Sequence, residues 1–188
     1  RSLVMAGRVY LAQVHAPGHD ERVYLGEVKV NKPSEPAKPG LALSVRGSRL
    51  PFVSRGGLKL REALSRFSID VGGLTCVDIG ASTGGFTDCL LQAGAERVYA
   101  IDVGYGQLDY RLRSDPRVAV MERTNARFVR PEQFDPRPQF GATDVSFISL
   151  KAILPAALNL LTGGRPRFVA LIKPQFEAGR EKVGKKGV

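Results

Sequence analysis

From residue 74 onward, short apolar segments alternate with segments of helical spacing, and this alternation limits the possible folds more than any other feature. The apolar segments are residues 74–79, 97–102, 118–121, 140–145 and 167–173. Residues 86–93 and 148–161 have helical spacing, the second with Pro155 in its path. Strands that alternate with helices favour a parallel sheet covered by helices on both faces. We therefore predict an α/β fold.

The first fifty residues show a different pattern. Residues 7–11 and 26–30 alternate apolar and polar side chains, and residues 41–45 form a further short apolar segment, with Pro-Gly and Asn-Lys-Pro turns between them. Such a segment is too small to bury a large core. We predict a small domain over residues 1–50, a linker over 51–57, and a larger domain over 58–188 that begins with a helix at 58–67.

The chain is basic, with 28 lysines and arginines against 18 acidic residues and a net charge of +10. This excess favours a polyanionic partner, first nucleic acid and second an anionic membrane surface. No apolar segment reaches the roughly 18 residues of a membrane helix, and no signal-peptide pattern opens the chain. Cys76 and Cys89 lie in apolar segments without metal-ligand spacing, as expected for buried thiols in the cytoplasm. We expect no metal.

Four ionisable residues lie at the carboxyl ends of predicted strands: Asp78, Asp102, Asp144 and Lys173. A glycine-rich turn over residues 80–85 follows the first of these strands. In open α/β sheets, ligands bind beyond the carboxyl ends of the strands. The concentration of ionisable residues at these positions therefore favours an active site over simple solvation.

The glycine-rich turn limits the kind of ligand. A dinucleotide site needs Gly-x-Gly-x-x-Gly, but Ser82 occupies the middle position, and no Walker-type Gly-Lys-Ser/Thr follows. Asp102 lies 22 residues after Gly80, where an acid can accept hydrogen bonds from both hydroxyls of an adenosine ribose. A nucleoside cofactor without pyrophosphate fits this pattern, and S-adenosylmethionine (SAM) is the obvious candidate. The alternative is a tight strand–helix turn with an incidental aspartate.

Five motifs, in order along the chain, resemble those of the TlyA (hemolysin A) family. They are residues 53–60 (VSRGGLKL), 78–88 (DIGASTGGFTD), 102–108 (DVGYGQL), 144–149 (DVSFIS) and 172–177 (IKPQFE). The resemblance implies a SAM-dependent methyltransferase that acts on the 2′-hydroxyl of a ribose in ribosomal RNA, that of a cytidine, and releases S-adenosylhomocysteine. It also implies a Rossmann-like, FtsJ-like catalytic domain preceded by a small α+β RNA-binding domain of the ribosomal-protein S-four type.

Residues 1–50 match that small domain only in part, through Gly7-Arg8-Val9. The chain starts without methionine and stops in a Gly-Lys-Lys-Gly-Val run. We therefore expect a chain that is cut at both ends, with a partial RNA-binding domain and without the last strands of the methyltransferase sheet.

The resemblance also implies catalytic residues. Family members use a Lys-Asp-Lys-Glu constellation, whose first three members correspond to Lys59, Asp144 and Lys173, while the glutamate would follow Val188. A ribose hydroxyl is too weak an acid to ionise at neutral pH, and a lysine of lowered pKa can help it lose its proton. Lys173 would orient or deprotonate the hydroxyl, Lys59 would hold the adjacent phosphate or lower the pKa of Lys173, and Asp144 would hold the ammonium near the methyl donor. The two lysines could exchange roles.

We expect a larger set of residues to contact SAM: Asp78, Gly80, Ala81, Ser82, Thr83, Gly84, Gly85, Asp102, Val103, Asn125 and Asp144. Asn125 either binds the base edge or is a turn asparagine. Ser146 and Phe147 could line the cofactor pocket, with Phe147 alternatively in the core. Phosphate contacts are expected from a set of basic residues: Arg8, Arg46, Arg49, Arg55, Arg180, Lys182, Lys185 and Lys186.

Three other functions compete with methyl transfer. The first is a noncatalytic RNA-binding or ribosome-assembly protein built on a methyltransferase scaffold. The second is a membrane-active hemolysin, which lacks support because no basic amphipathic helix is evident. The third is an NAD-dependent enzyme, which Ser82 in the glycine-rich turn disfavours.

Overall fold

The chain divides into two compact units, Arg1–Pro51 and Phe52–Val188. The computed structural model describes residues 50–178 with their side chains and, before them, only the backbone of six strands. These six strands are β1 (Val4–Met5), β2 (Arg8–Tyr10), β3 (Arg22–Leu25), β4 (Val28–Lys29), β5 (Pro36–Ala37) and β6 (Leu43–Arg46). They form two antiparallel three-stranded sheets, with orders β1-β2-β5 and β4-β3-β6.

The second unit contains the alternating elements predicted from the sequence. In chain order they are α1 (Gly56–Arg66), β7 (Thr75–Ile79), α2 (Gly85–Gln92), β8 (Arg97–Ile101), α3 (Tyr110–Arg113), β9 (Val118–Met121), β10 (Phe140–Thr143), α4 (Leu150–Leu160), β11 (Arg167–Ala170) and α5 (Pro174–Glu177). Short 3₁₀ helices occupy Ala126–Phe128 and Pro131–Gln133. The five strands pair in parallel in the order β11-β10-β7-β8-β9, which confirms the predicted α/β fold.

This strand order places a switch point at the centre of the sheet. The chain builds outward from β7 through β8 to β9, and then returns to the other side of β7 for β10 and β11. All five strands point the same way, so their carboxyl ends meet at one edge. The crevice between β7 and β10 at that edge is where such sheets bind their ligands.

Two apolar clusters, one on each face, hold the sheet between helices. On one face, Leu60 and Leu64 of α1 and Leu90 of α2 pack with Cys76 and Val98 of the sheet. The other face packs against α4. Each fully buried leucine is worth about 1.5–3 kcal/mol relative to exposure, so α1 is bound to the sheet chiefly through its apolar side.

On the opposite face, Ile153, Ala157 and Leu160 of α4 pack with Val77 and Ile79 of β7. The spacing of these α4 residues is that of one helix face. Pro155 lies within α4 without ending it, as the sequence interpretation allowed.

The structure also departs from the sequence interpretation. Helix α1 begins at Gly56, inside the predicted linker, rather than at residue 58. Phe147 is 91% exposed, so the alternative that placed it in the core is wrong. Within residues 50–178, no helix is long and apolar enough to cross a membrane.

Candidate active site

Two lysines share one carboxylate at the carboxyl edge of the sheet. Asp144 follows β10, Lys173 follows β11, and Lys59 is the fourth residue of α1. The Lys173 Nζ is 2.6 Å from Asp144 Oδ1, and the Lys59 Nζ is 3.2 Å from Asp144 Oδ2. The fold thus brings together the three residues to which the sequence interpretation assigned catalysis, although they are far apart along the chain.

The surroundings of the two lysines differ. The Lys173 Nζ also donates to Ser146 Oγ at 2.7 Å and to the Asp144 backbone carbonyl at 3.4 Å, and its side chain is 19% exposed. The Lys59 side chain is 49% exposed and has the Asp144 carboxylate as its ion-pair partner. The Lys173 Nζ is therefore fixed in one position by its three partners, whereas the Lys59 side chain can also contact an anionic group that approaches from solvent.

Asp102, after β8, organises the neighbouring loops. Its Oδ2 accepts a hydrogen bond from the Ser82 backbone N–H and its Oδ1 accepts one from the Gly104 N–H, both at 2.7 Å. An ionised carboxylate offers about four acceptor positions, so roughly two remain for a ligand. Asp102 can therefore join the glycine-rich turn to the next loop and still accept hydrogen bonds from a diol.

The glycine-rich turn has packing reasons for its composition. Gly80 has φ +82°, and a Cβ there would lie 3.0 Å from Val145 Cγ1, so this turn approaches the loop after β10 closely. Gly84 has φ +97°, and a Cβ there would overlap the Leu112 side chain. These contacts explain the two glycines without a ligand.

Asp78 connects β7 to α2. Its Oδ2 accepts hydrogen bonds from the Thr87 backbone N–H at 2.9 Å and from Thr87 Oγ1 at 2.7 Å. Its Oδ1 is buried and has no hydrogen-bond partner among residues 50–178. Burial raises the pKa of Asp78 to about 7, although the Thr87 hydrogen bonds oppose this rise, and the nearby Asp102 and Asp144 charges add to it. The sequence interpretation assigned no role to Thr87, which lies in the helical segment after the glycine-rich turn.

Asn125 has a local role. Its Oδ1 accepts a hydrogen bond from the Arg127 backbone N–H at 3.1 Å, at the start of a 3₁₀ helix. Asn125 therefore makes the contact of a turn asparagine, which the sequence analysis gave as the alternative to binding the base edge. Val103, by contrast, is 71% exposed beside Asp102, so its surface is accessible.

Of the predicted phosphate contacts, Arg55 is exposed at the N-terminal end of α1. The side chains of the other predicted contacts lie outside the described residues: Arg8, Arg46, Arg49, Arg180, Lys182, Lys185 and Lys186. Among residues 50–178, no group of three or more His, Cys, Asp or Glu side chains is arranged to hold a metal.

The parallel sheet with its central switch point, the glycine-rich turn, and the acids and lysines at the strand ends define a Rossmann-like methyltransferase class. The model of the FtsJ-like methyltransferase family matches residues 52–188. The chain belongs to this FtsJ-like methyltransferase family.

Individual relatives agree with this assignment. The chain is 47% identical to the Mycobacterium tuberculosis 16S/23S rRNA (cytidine-2′-O)-methyltransferase TlyA, over 89% of this chain. It is 46% identical to Hemolysin A of Brachyspira hyodysenteriae over 88% of its length, and covers 69% of that protein. A solved structure described as "Putative hemolysin from Streptococcus thermophilus" is 49% identical, with a TM-score of 0.74 over 88% of this chain and 61% of that one.

These similarities confirm the resemblance that the five motifs indicated. The chain spans 65% of the mycobacterial protein and 59% of the Bacillus subtilis relative YqxC. It therefore corresponds to about three fifths of the length of such relatives.

Proposed function

We propose that this chain transfers a methyl group from SAM to a ribose 2′-hydroxyl of ribosomal RNA, with cytidine as the target nucleoside and the cytoplasm as its location. The observation that carries the proposal is the Lys59–Asp144–Lys173 cluster, which lies at the ligand-binding edge of a methyltransferase sheet. The RNA class and the nucleoside follow from the name of the mycobacterial relative.

The residues at this edge fit SAM. The Asp102 carboxylate keeps about two acceptor positions, which suit the two ribose hydroxyls of an adenosine. The exposed Val103 beside it offers an apolar surface to an adenine ring. When bound, SAM supplies a methyl group that is already electrophilic because it is attached to a sulfonium.

The chain's own residues would orient the acceptor and move its proton. Lys173 is the better placed lysine for the hydroxyl, because three oxygen partners hold its Nζ in a site that is mostly screened from water. As an ammonium it would orient the hydroxyl oxygen. As an amine it would take the hydroxyl proton while the oxygen forms its bond to the methyl carbon and the carbon–sulfur bond breaks, leaving S-adenosylhomocysteine. Asp144 then stabilises the lysine cation.

Lys59 suits the second role. Its half-exposed side chain leaves room for an RNA phosphate next to the target ribose, while its contact with Asp144 keeps it beside Lys173. Two cations around one carboxylate leave a local positive charge, which favours an RNA backbone.

The test determines which atom of the RNA receives the methyl group. The chain, and a longer chain of the length of its relatives, are incubated with methyl-labelled SAM and unmodified ribosomal subunits, and the RNA is then cleaved with alkali. A 2′-O-methyl group removes the nucleophile for that cleavage, so label in alkali-resistant dinucleotides supports the proposal. SAM binding without any label from either chain would instead favour the noncatalytic RNA-binding alternative.

A further inference from the structure

The charged cluster depends on two separate loops. Asp144 and Ser146 lie between β10 and α4, whereas Lys173 lies between β11 and α5. The contacts of Lys173 with Asp144 and Ser146 therefore hold only if these two loops keep a fixed relation.

Glu177 of α5 joins the two loops through hydrogen bonds to the start of α4. Its Oε1 accepts a hydrogen bond from the Leu150 backbone N–H, and its Oε2 accepts one from Ser149 Oγ, both at 2.7 Å. These hydrogen bonds also lower the pKa of Glu177, so it is ionised at neutral pH. Ser149 and Leu150 are at the start of α4. The Glu177 carboxylate of α5 therefore caps the N-terminus of α4, the helix that follows the loop with Asp144 and Ser146.

An aromatic contact lies beside this carboxylate. The Phe176 and Phe147 rings are 5.2 Å apart between centroids and tilted by 48°. Phe147 has φ +65°, in the left-handed region that a bulky residue rarely adopts, and its side chain is 91% exposed. We call these five residues the clip: Phe147, Ser149, Leu150, Phe176 and Glu177.

Helix α5 is short enough for the clip to act directly on Lys173. Pro174 follows Lys173 at once, which fixes the backbone of the first helical residue and favours extended backbone before it. The Phe176 N–H donates to the Lys173 carbonyl at 2.9 Å. Glu177 is thus tied to Lys173 through a single turn, and a shift of Glu177 would shift Lys173 as well.

We propose that Glu177 is a positioning residue, which holds Lys173 in register with Asp144 and Ser146 through the clip. This inference rests on the proposed function, because it assigns Lys173 the acceptor hydroxyl. A displacement of about 1 Å in a reacting group can cost on the order of 100-fold in rate. A carboxylate that sets the distance between two loops would therefore control turnover without touching the substrate.

Two variants and a matched control separate positioning from simple helix capping. Glu177→Ala removes both hydrogen bonds, whereas Glu177→Gln keeps an acceptor for Leu150 and a polar group for Ser149. Arg137→Ala is the control, because Arg137 caps the opposite end of α4 by donating to the Asn159, Leu160 and Leu161 carbonyls.

The first readout does not depend on activity. Acetic anhydride labels lysine amines, and mass spectrometry gives the labelling rate of Lys173 in each variant. We expect Glu177→Ala to raise the rate by about threefold or more, since Lys173 loses ordered partners, and Glu177→Gln and Arg137→Ala to stay within about twofold of the unchanged protein. Equal rates in Glu177→Ala and Arg137→Ala would overturn the proposal, even if both variants unfold at lower temperature.

The second readout is methyl transfer at saturating SAM and RNA. We expect Glu177→Ala to lower kcat by roughly 10- to 100-fold with little change in SAM affinity, and Glu177→Gln to restore most of the rate. A kcat in Glu177→Ala equal to that in Arg137→Ala would overturn the proposal. If neither the unchanged chain nor the longer chain transfers a methyl group, the proposed function fails, and the labelling rates still decide whether the clip holds Lys173.

Discussion

Three aspartates at the strand ends show how surroundings give one residue type different chemistry. Asp78 is buried beside Thr87, and its pKa rises to about 7. Asp102 accepts two loop N–H groups, and Asp144 lies between two lysines. Their places at the sheet edge could be predicted from the sequence. Their partners could not, because partners depend on how the loops after different strands meet.

At Asp102, substitution tests the cofactor site. We expect Asp102→Ala to weaken SAM binding by about 100-fold or more, because it removes the proposed acceptor for two ribose hydroxyls, each worth about 1.5 kcal/mol or more when it bonds to a charged group. Titration calorimetry measures the change. Asp115→Asn, in an exposed ion pair with Arg117, is the control and should bind SAM normally. Unchanged SAM affinity in Asp102→Ala would refute the assignment.

Asp78 should make stability depend on pH. Because its pKa is raised above its ordinary 3.8, the folded state holds the proton more tightly than the unfolded state. Its contribution to stability is therefore complete below about pH 4 and is lost as the pH rises through about 7. A single group changes the free energy of unfolding by at most about 1.4 kcal/mol per pH unit.

Asp78→Asn should remove this dependence, since an amide does not ionise. Urea unfolding at pH 5, 6, 7 and 8 should show the variant gaining stability relative to the unchanged protein as the pH rises. Asp115→Asn should show no such trend in this range, because its partner Arg117 lowers the pKa of Asp115. A constant difference between Asp78→Asn and the unchanged protein would contradict the raised pKa.

At the scale of elements, the five central strands and the longer helices could be predicted closely, because apolar runs and helical spacing report burial directly. The short helices α3 and α5 were not predicted. A four-residue helix shows no period, so its existence depends on contacts such as that of Glu177 with α4. The clip could therefore not be predicted from the sequence, although four of its five residues lie within two of the five motifs.

The packing of α2 against α3 supplies a prediction at this scale. Gly84→Ala should lower the free energy of unfolding by about 2 kcal/mol or more, because it adds a Cβ at φ +97° and overlaps the Leu112 side chain. Gly163→Ala is the matched control, with φ +105° and open space around it, and should cost only the backbone term of about 1 kcal/mol. Denaturant unfolding compares them, and equal losses would refute the packing explanation.

At the scale of the whole molecule, the basic charge and the two lysines of the site both support the proposed anionic substrate. The net charge is +10, and the exposed Arg55 immediately precedes the helix that carries Lys59. The trio of Lys59, Asp144 and Lys173 was predicted from the family resemblance and not from spacing. No pattern in the sequence alone could show that three residues so far apart meet at one carboxylate, since their meeting depends on the strand order.

The charge predicts a steep salt dependence. A plot of the logarithm of the RNA association constant against the logarithm of the salt concentration should have a slope of about −2 or steeper. This slope is expected when the protein contacts at least about three phosphates of a single RNA strand. Arg55→Ala should remove about one phosphate contact and make the slope correspondingly shallower. Arg66→Ala, at the other end of α1, should leave the slope unchanged. Filter binding at several salt concentrations measures the slope, and a flat response would rule out phosphate contacts.

The most direct test of the account is methyl transfer by Lys173→Met, compared with the unchanged chain and with Arg66→Met. General acid–base groups typically contribute about 10²- to 10⁴-fold, so we expect Lys173→Met to lose label in alkali-resistant dinucleotides by that factor. SAM affinity should stay within about threefold in the same variant, because Lys173 contacts Asp144 and Ser146 and not Asp102. Unchanged labelling by Lys173→Met would contradict the central claim that this cluster carries the reaction.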